Sequence, residues 1–159
     1  MYARDEALIA TPLGPVRIAG DDSRLTMVRI GEEGPMSRAS AAAVRDAVEQ
    51  LEQWFAGERR SFDLPLAPAG TDRGETLRQG LIGVPYGETL SYGELAQRLG
   101  SSARAIGQLC ARNPFPIIVP CHRVLGDGGK LASYSAGEGP KTKFWLLEHE
   151  RRHARGTLL

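Results

Sequence analysis

The 159-residue chain is poor in several residue types, and each shortage excludes something. It has two cysteines, Cys110 and Cys121, too few for a disulfide framework. The segment Met1 to Ala10 lacks a basic stretch followed by an apolar run, so no secretory signal is expected and both thiols should be free in a reducing compartment, the cytoplasm. There are three histidines, His122, His149 and His153, and no CxxC pair. No zinc pattern is complete, and no metal is expected. His149 and His153 are four residues apart, the spacing of a solvated helix face. Neither GxGxxG nor GxxxxGK[ST] occurs, so no nucleotide cofactor is expected either. No apolar run approaches the ~20 residues of a membrane span. Excess charge of one sign is also missing. The formal net charge is +1, which argues against coating nucleic acid by bulk electrostatics but leaves a local patch open.

The near-neutral total hides an asymmetry. Residues 1–70 carry 8 basic and 11 acidic side chains, net −3; residues 71–159 carry 12 basic and 8 acidic, net +4. Residues 91–123 hold Arg98, Arg104, Arg112 and Arg123 against a single acid, Glu94. Of the 20 cations in the chain, 17 are arginine.

Apolar and charged fractions of 42% and 25% are those of a folded protein, and the length suits one or two domains of roughly 100–200 residues or less. Ala7 to Ile18 reads as two strands around a turn at Thr11-Pro12-Leu13-Gly14-Pro15, and Leu25 to Ile30 as a third. Gly31 to Ser40 reads as a loop. Val44, Val48, Leu51 and Phe55 share one helical face, which predicts a helix over Ala41 to Phe55, stopped by Gly57. Phe62, Leu64 and Leu66 alternate beside Pro65, as in a short edge strand. Ala67-Pro68-Ala69-Gly70 reads as a linker, giving domains at 1–70 and 71–159. Beyond it, a helix is expected over Thr76 to Val84. A second covers Ser91 to Leu99, where Ser91 and Glu94 form a capping box. A third, Ala103 to Arg112, is capped by Ser102 and ended by Asn113-Pro114. The last two make a helix-turn-helix, a pattern that by itself does not establish nucleic-acid binding. Ile117-Ile118-Val119 suggests a buried strand, Gly126 to Gly129 a hairpin turn, and Lys143 to Arg152 a final helix.

Chemistry concentrates at Cys121-His122-Arg123-Val124. A thiol is nucleophilic as thiolate, and an imidazole can take its proton. Neighbouring residues on an extended strand point to opposite faces, so the pair can cooperate only on a tight turn or through a water, and Pro120 favours a turn. A third group should orient the imidazole, and Glu148 and Glu150 are both candidates. The plainer alternative makes Cys121 a small buried core residue.

The segment Asn113-Pro114-Phe115-Pro116-Ile117-Ile118-Val119-Pro120-Cys121-His122-Arg123-Val124 resembles the active-site signature of the O6-alkylguanine-DNA alkyltransferases, the methylated-DNA–protein-cysteine methyltransferases. Pro85 to Ala96 and Arg104-Ala105-Ile106-Gly107 resemble that family's helix-turn-helix. Gly126 to Tyr134, with Lys143, Leu146, Leu147 and Glu150, resembles its closing segment. The likeness covers about the whole chain and is strongest over 84–150. It implies an α+β fold: a small ribonuclease H-like N-terminal domain with a short antiparallel sheet and a helix, then a mainly helical domain. It implies repair by irreversible, single-turnover transfer of an alkyl group from O6 of guanine, and from O4-methylthymine, to a cysteine. The partner is double-stranded DNA with alkylated bases, the protein a monomer, with cooperative assembly on DNA left open and no cofactor needed.

The resemblance also assigns roles. Cys121 is the acceptor, His122 the base acting through a water, and Glu150 the carboxylate orienting His122. Asn113 braces the turn, and Tyr92 helps rotate the nucleotide and protonates the departing guanine at N3. Arg104 is an arginine finger that fills the vacated stack, with small neighbours Ala103, Ala105 and Gly107 allowing close approach, and Arg112 and Arg123 are further DNA contacts. Val124, Tyr134 and Ser135 line the pocket. Without the resemblance, Arg104 is a surface salt-bridge residue, Tyr92 a core aromatic and Ser135 a turn residue. The chain departs from the family pattern in four places, one of them Ser133 and Ala136, which replace residues often Gly or Asn in the loop. Thr71 to Arg78 lacks a Phe-Gln pair, the loop over Ala136 to Lys143 is about two residues longer, and the bulkier Gln108, Leu109 and Cys110 follow Gly107, bringing a second thiol towards the site. A non-catalytic damage-binding module on the same fold is the alternative function, and the presence of Cys121 argues against it. A Cys–His hydrolase has no supporting context.

Overall fold

Branched apolar residues at alternate positions, Val16 and Ile18, then Val28 and Ile30, suit a pleated surface with one face buried. A computed structural model describes residues 4–156, so the outermost residues of both expected domains, 1–3 and 157–159, lie outside the description. The chain divides into two compact units, Met1–Ala67 and Pro68–Leu159, and the fold class is α+β.

In the first unit, strands β1 (Asp5–Thr11), β2 (Gly14–Gly20) and β3 (Leu25–Ile30) form an antiparallel meander in that order. Thr11 pairs with Gly14 across a two-residue turn. Gly14 takes φ +90°, which a side chain would resist. Helix α1 (Ala42–Phe55) packs on the sheet through Val44, Val48, Leu51 and Trp54. Its N-cap, Ala41, has no capping side chain, and an acid on β1 and one in the β2–β3 turn take over. Asp5 Oδ2 accepts from the Ser40 and Ala41 amides at 2.7 and 2.9 Å, and Asp22 Oδ1 accepts from Ala42 at 2.8 Å. The expected strand over Phe62–Leu66 does not form. Leu66 makes one isolated bridge to Leu25, because Pro65 contributes only its carbonyl and has no N–H for a ladder.

The second unit holds α2 (Asp72–Ile82), β4 (Leu90–Ser91), α3 (Tyr92–Leu99), α4 (Ala103–Ala111), β5 (Val124–Leu125) and α5 (Pro140–Gly156). Helix α2 begins four residues before the expected Thr76, because Thr71 accepts from the Gly74 amide and caps it. Ser91 and Glu94 form the capping box, Gly100 closes α3 at φ 62°, and Ser102 caps α4, as their spacing predicts. Strands β4 and β5 pair in parallel for two residues, Leu90 with Val124 and Ser91 with Leu125. That short ladder ties the start of the helix-turn-helix to the Cys-His segment.

Two further expectations fail here. Ile117-Ile118-Val119 is buried but forms a turn, with Ile117 at φ 75°. Prolines 114, 116 and 120 remove the N–H groups a ladder would need. Gly126–Gly129 is a short 3-10 turn and not a hairpin, since β5 pairs with the distant β4. Helix α5 starts at Pro140, three residues before the expected Lys143, with proline tolerated in a first turn whose N–H groups have no helical partner.

Candidate active site

Cys121, His122 and Arg123 form one turn of 3-10 helix leading into β5. The turn resolves the geometric difficulty of an adjacent Cys–His pair, because successive side chains no longer point to opposite faces. All three are buried, Cys121 to 2% exposure and His122 to none. Asn113 braces the segment before the turn. Its side-chain NH₂ donates to the Val119 carbonyl at 3.1 Å and to Cys121 Sγ at 3.4 Å, while its oxygen accepts from the Phe115 amide at 2.9 Å.

Of the two candidate carboxylates, Glu150 meets the imidazole. His122 Nε2 donates to Glu150 Oε2 at 2.9 Å. Glu148 instead pairs with Arg151. Arg123 grips the same Glu150 carboxylate with a two-pronged fork, Nε to Oε1 at 2.9 Å and Nη2 to Oε2 at 2.8 Å, and its Nη1 donates to the Val84 carbonyl at 2.6 Å. The expectation that Arg123 contacts DNA is therefore corrected. It is 5% exposed, and its donors are committed to Glu150 and Val84.

Burial alone would raise the Glu150 carboxyl. The facing His122 ring and the Arg123 fork outweigh it and hold the group at about 2, an ionised acceptor. Burial pushes the His122 pKa down, so the ring is neutral at neutral pH. A carboxylate can only accept, so the ring proton sits on Nε2 and the basic nitrogen is Nδ1. Burial raises the Cys121 thiol well above its ordinary value, with the Cys110 thiol adding to the rise and the Asn113 bond and the Lys143 charge opposing it. The resting acceptor is thus a protected thiol with a neutral base in the same turn.

Tyr92 opens α3, half-buried, and burial lifts its hydroxyl to about 12, so it remains a proton donor. Lys143 of α5 is fully buried with Nζ 5.8 Å over the Tyr92 ring and 3.4 Å from the Ser133 carbonyl. The Tyr134 hydroxyl is buried and has no hydrogen-bond partner among the described residues. Ser135 is exposed and donates to the Cys110 carbonyl at 3.4 Å. Val124 is fully buried in β5, so its side chain packs in the core. On α4, Arg104 and Gln108 are exposed one turn apart, with Arg112 exposed at the cap a turn further. Ala103 is exposed beside them, Ala105 and Gly107 are half-buried, and a Cβ on Gly107 would meet nothing within 4 Å. His149 is not on a solvated face: it is 3% exposed and stacks on Trp145 at 4.9 Å.

Sequence reasoning missed the structural duty of Arg123 and the burial of Lys143. Helical spacing carried a signal for the second: Lys143, Leu146 and Glu150 fall at i, i+3 and i+7, so a face holding Glu150 must also hold Lys143. No local pattern marks the Arg123–Glu150 fork, which spans 27 residues.

The chain matches two family models: the 6-O-methylguanine DNA methyltransferase ribonuclease-like domain over residues 6–68 and the DNA binding domain of the same enzymes over residues 75–152. The methylated-DNA–protein-cysteine methyltransferase of Methanosarcina acetivorans is 43% identical over 150 residues, 89% of this chain and 96% of the relative. That of Mycobacterium tuberculosis is also 43% identical, over 157 residues, 94% and 95% of the two chains. The crystal structure of Mycobacterium tuberculosis O6-methylguanine methyltransferase aligns with TM-score 0.81 and 40% identity over 95% of this chain and 94% of that one. The structure of Mycobacterium tuberculosis OGT in complex with DNA aligns with TM-score 0.80 and 42% identity over 93% of each.

Proposed function

The chain belongs to the methylated-DNA–protein-cysteine methyltransferase family, and on that premise we propose that it repairs alkylated DNA by moving the O6-alkyl group of guanine onto Cys121. The observation that carries this reading is the buried Cys121–His122 pair on a single turn with Glu150 of α5 bonded to the imidazole, the acceptor thiol intact. A damage-binding module would have no use for a thiol, a neutral base and an ionised carboxylate in one place.

Chemistry on a base inside a duplex requires its extrusion, at a cost of a few kcal/mol. An O6-methylated guanine pairs badly, so its extrusion costs less. The exposed Arg104, Gln108 and Arg112 stripe of α4, bordered by Ala103 and Gly107, suits a helix laid against the duplex, with Arg104 taking the place of the extruded base. Once the base is in the pocket, His122 Nδ1 takes the Cys121 proton through a bridging water. The thiolate attacks the alkyl carbon, a C–S bond forms, and the C–O6 bond breaks with its electrons left on guanine. Tyr92 supplies a proton to N3 of the departing base and is reprotonated from the His122 side. The Tyr134 hydroxyl and Ser135 lie on the pocket loop as partners for the base edge. The thioether has no good leaving group, so each molecule acts once. O4-methylthymine is a further substrate of the same chemistry, and a reducing compartment such as the cytoplasm keeps the thiol usable.

The test is mass spectrometry after incubation with duplex DNA carrying O6-methylguanine. A stoichiometric methyl gain on the Cys121 peptide, absent in Cys121→Ser, is expected. Binding without a mass gain, or repeated turnover, would overturn the proposal.

A further inference from the structure

Between α2 and α4 lies a cavity of about 400 Å³ that the proposed chemistry leaves unused. Three arginines line it, Arg73 and Arg78 from α2 and Arg112 at the cap of α4, with Gln108 and Asn113 beside them. No acid lines it among the described residues. Two of the three cations come from Thr71 to Arg78, a stretch that departs from the family pattern. The arginines are held differently. Arg78 is 6% exposed, with its guanidinium 5.5 Å from the Phe115 ring centroid and 3.7 Å from the Glu75 carboxylate, so it is part of the wall. Arg73 and Arg112 are exposed. Arg73 Nη2 donates to the Gly100 carbonyl at 3.3 Å, which holds that guanidinium against the turn joining α3 to α4. Neither Arg73 nor Arg112 makes an ion pair among the described residues, whereas Arg17, Arg29 and Arg38 of the first unit each face a glutamate.

We infer that this cavity seats one backbone phosphate of the duplex, gripped jointly by Arg73 and Arg112, and that the seat sets the register of the DNA against the acceptor. Two uncompensated guanidiniums on one acid-free cavity call for an oxyanion, and the planar guanidinium fork matches two oxygens of a phosphate. The duplex is the source because Gln108 and Arg112 of the same cavity belong to the exposed α4 stripe that also carries Arg104. The register follows from a shared wall. Asn113 and Val119 line the cavity, and the Asn113 side-chain NH₂ donates to the Val119 carbonyl at 3.1 Å and to Cys121 Sγ at 3.4 Å. A phosphate held by Arg73 and Arg112 therefore stands in a fixed relation to the acceptor sulfur. Arg73 brings α2 into the interface as a second anchor, tied through Gly100 to the turn of the helix-turn-helix.

The inference rests on the reading that the chain works on duplex DNA, so binding and methyl uptake on Cys121 are followed in parallel. Affinity for an undamaged duplex is measured by fluorescence anisotropy over a series of salt concentrations, for the full chain, Arg73→Gln, Arg112→Gln, the double variant and Arg73→Lys. Each neutralised phosphate contributes about 0.9 to the slope of log affinity against log salt. The double variant should lose about 0.9 from that slope, the share of a single phosphate. Arg73→Lys, which keeps the charge, should bind more tightly than Arg73→Gln. An unchanged slope in the double variant would overturn the inference, and so would a loss of about 1.8, the sign of two separate phosphates. Equal weakening by Arg73→Lys and Arg73→Gln would assign Arg73 to bracing the α3–α4 turn and overturn it as well. Calorimetric binding of inorganic phosphate with unchanged duplex slopes would give the cavity to a small free anion instead. Normal methyl uptake beside unchanged slopes would strike the seat alone. The expected slope loss without methyl uptake by the full chain would strike the repair reading and leave the seat, and a full chain that binds no duplex would strike both.

Discussion

Replacing Glu150 by glutamine should cost this protein far more stability than a single hydrogen bond. The Glu150 carboxylate is 1% exposed and serves three donors: Nε and Nη2 of Arg123, at 2.9 and 2.8 Å, and Nε2 of His122, at 2.9 Å. Glutamine keeps one oxygen, enough for either partner but not both, and turns an NH₂ group towards the guanidinium. Where that oxygen stays with His122, the charge on Arg123 is left buried with only the Val84 carbonyl as acceptor. Removing one partner of a buried ion pair costs about 3–5 kcal/mol, a large share of the roughly 5–15 kcal/mol that holds a typical domain. Arg123→Met in the same background removes the stranded charge with an apolar side chain of similar length, so the double variant should recover most of that loss. Urea unfolding followed by far-ultraviolet circular dichroism, on both single variants and the double, gives the coupling energy directly. The double variant should regain stability but not alkyl transfer, because His122 has lost the carboxylate that sets its tautomer. A loss below about 1 kcal/mol for Glu150→Gln, or a double variant as unstable as the two single losses added together, would refute the reasoning.

Acid should destabilise the protein in two stages. His122 has a lowered folded pKa, so stability falls once pH drops below the ordinary 6.5, where the unfolded state alone gains that proton. Glu150 is lowered from 4.5 to about 2, so its contribution, about 3 kcal/mol, is present above 4.5 and lost as pH falls towards 2. Urea midpoints measured from pH 7 down to 3 check both, and a flat profile would contradict the assigned charge states. Arg104→Ala should slow alkyl transfer much more than it weakens binding to undamaged duplex; equal effects in rapid-quench and anisotropy measurements would remove its finger role. Gly20→Ala should lower the melting temperature, because the new Cβ would lie 2.5 Å from the Arg24 carbonyl oxygen and 2.9 Å from Leu25 Cα, both backbone atoms that cannot rotate away. An unchanged melting temperature by calorimetry would show that the β2–β3 turn can relax.

The elements legible in the sequence are those set by short-range physics. The helical face of Val44, Val48 and Leu51, the capping box of Ser91 and Glu94, and the Ser102 cap depend on residues three or four apart, and each forms where its spacing predicts. The Cys-His motif was visible for the same reason, and Pro120 pointed to a turn. Prolines also explain the failures: apolar alternation at Phe62–Leu66 and the apolar run at Ile117–Val119 suggested strands, but a ladder needs N–H groups that proline does not have.

By itself, then, the sequence determined the local segments, the acceptor motif and the residue types able to do the chemistry. The tertiary structure decided which of two glutamates meets His122 and that Arg123 braces the site from within. Those pairings join residues 27 to 39 positions apart. They depend on how α5 packs against one turn, where burial turns a modest surface contact into a strong one and selects the charge state of the groups it encloses.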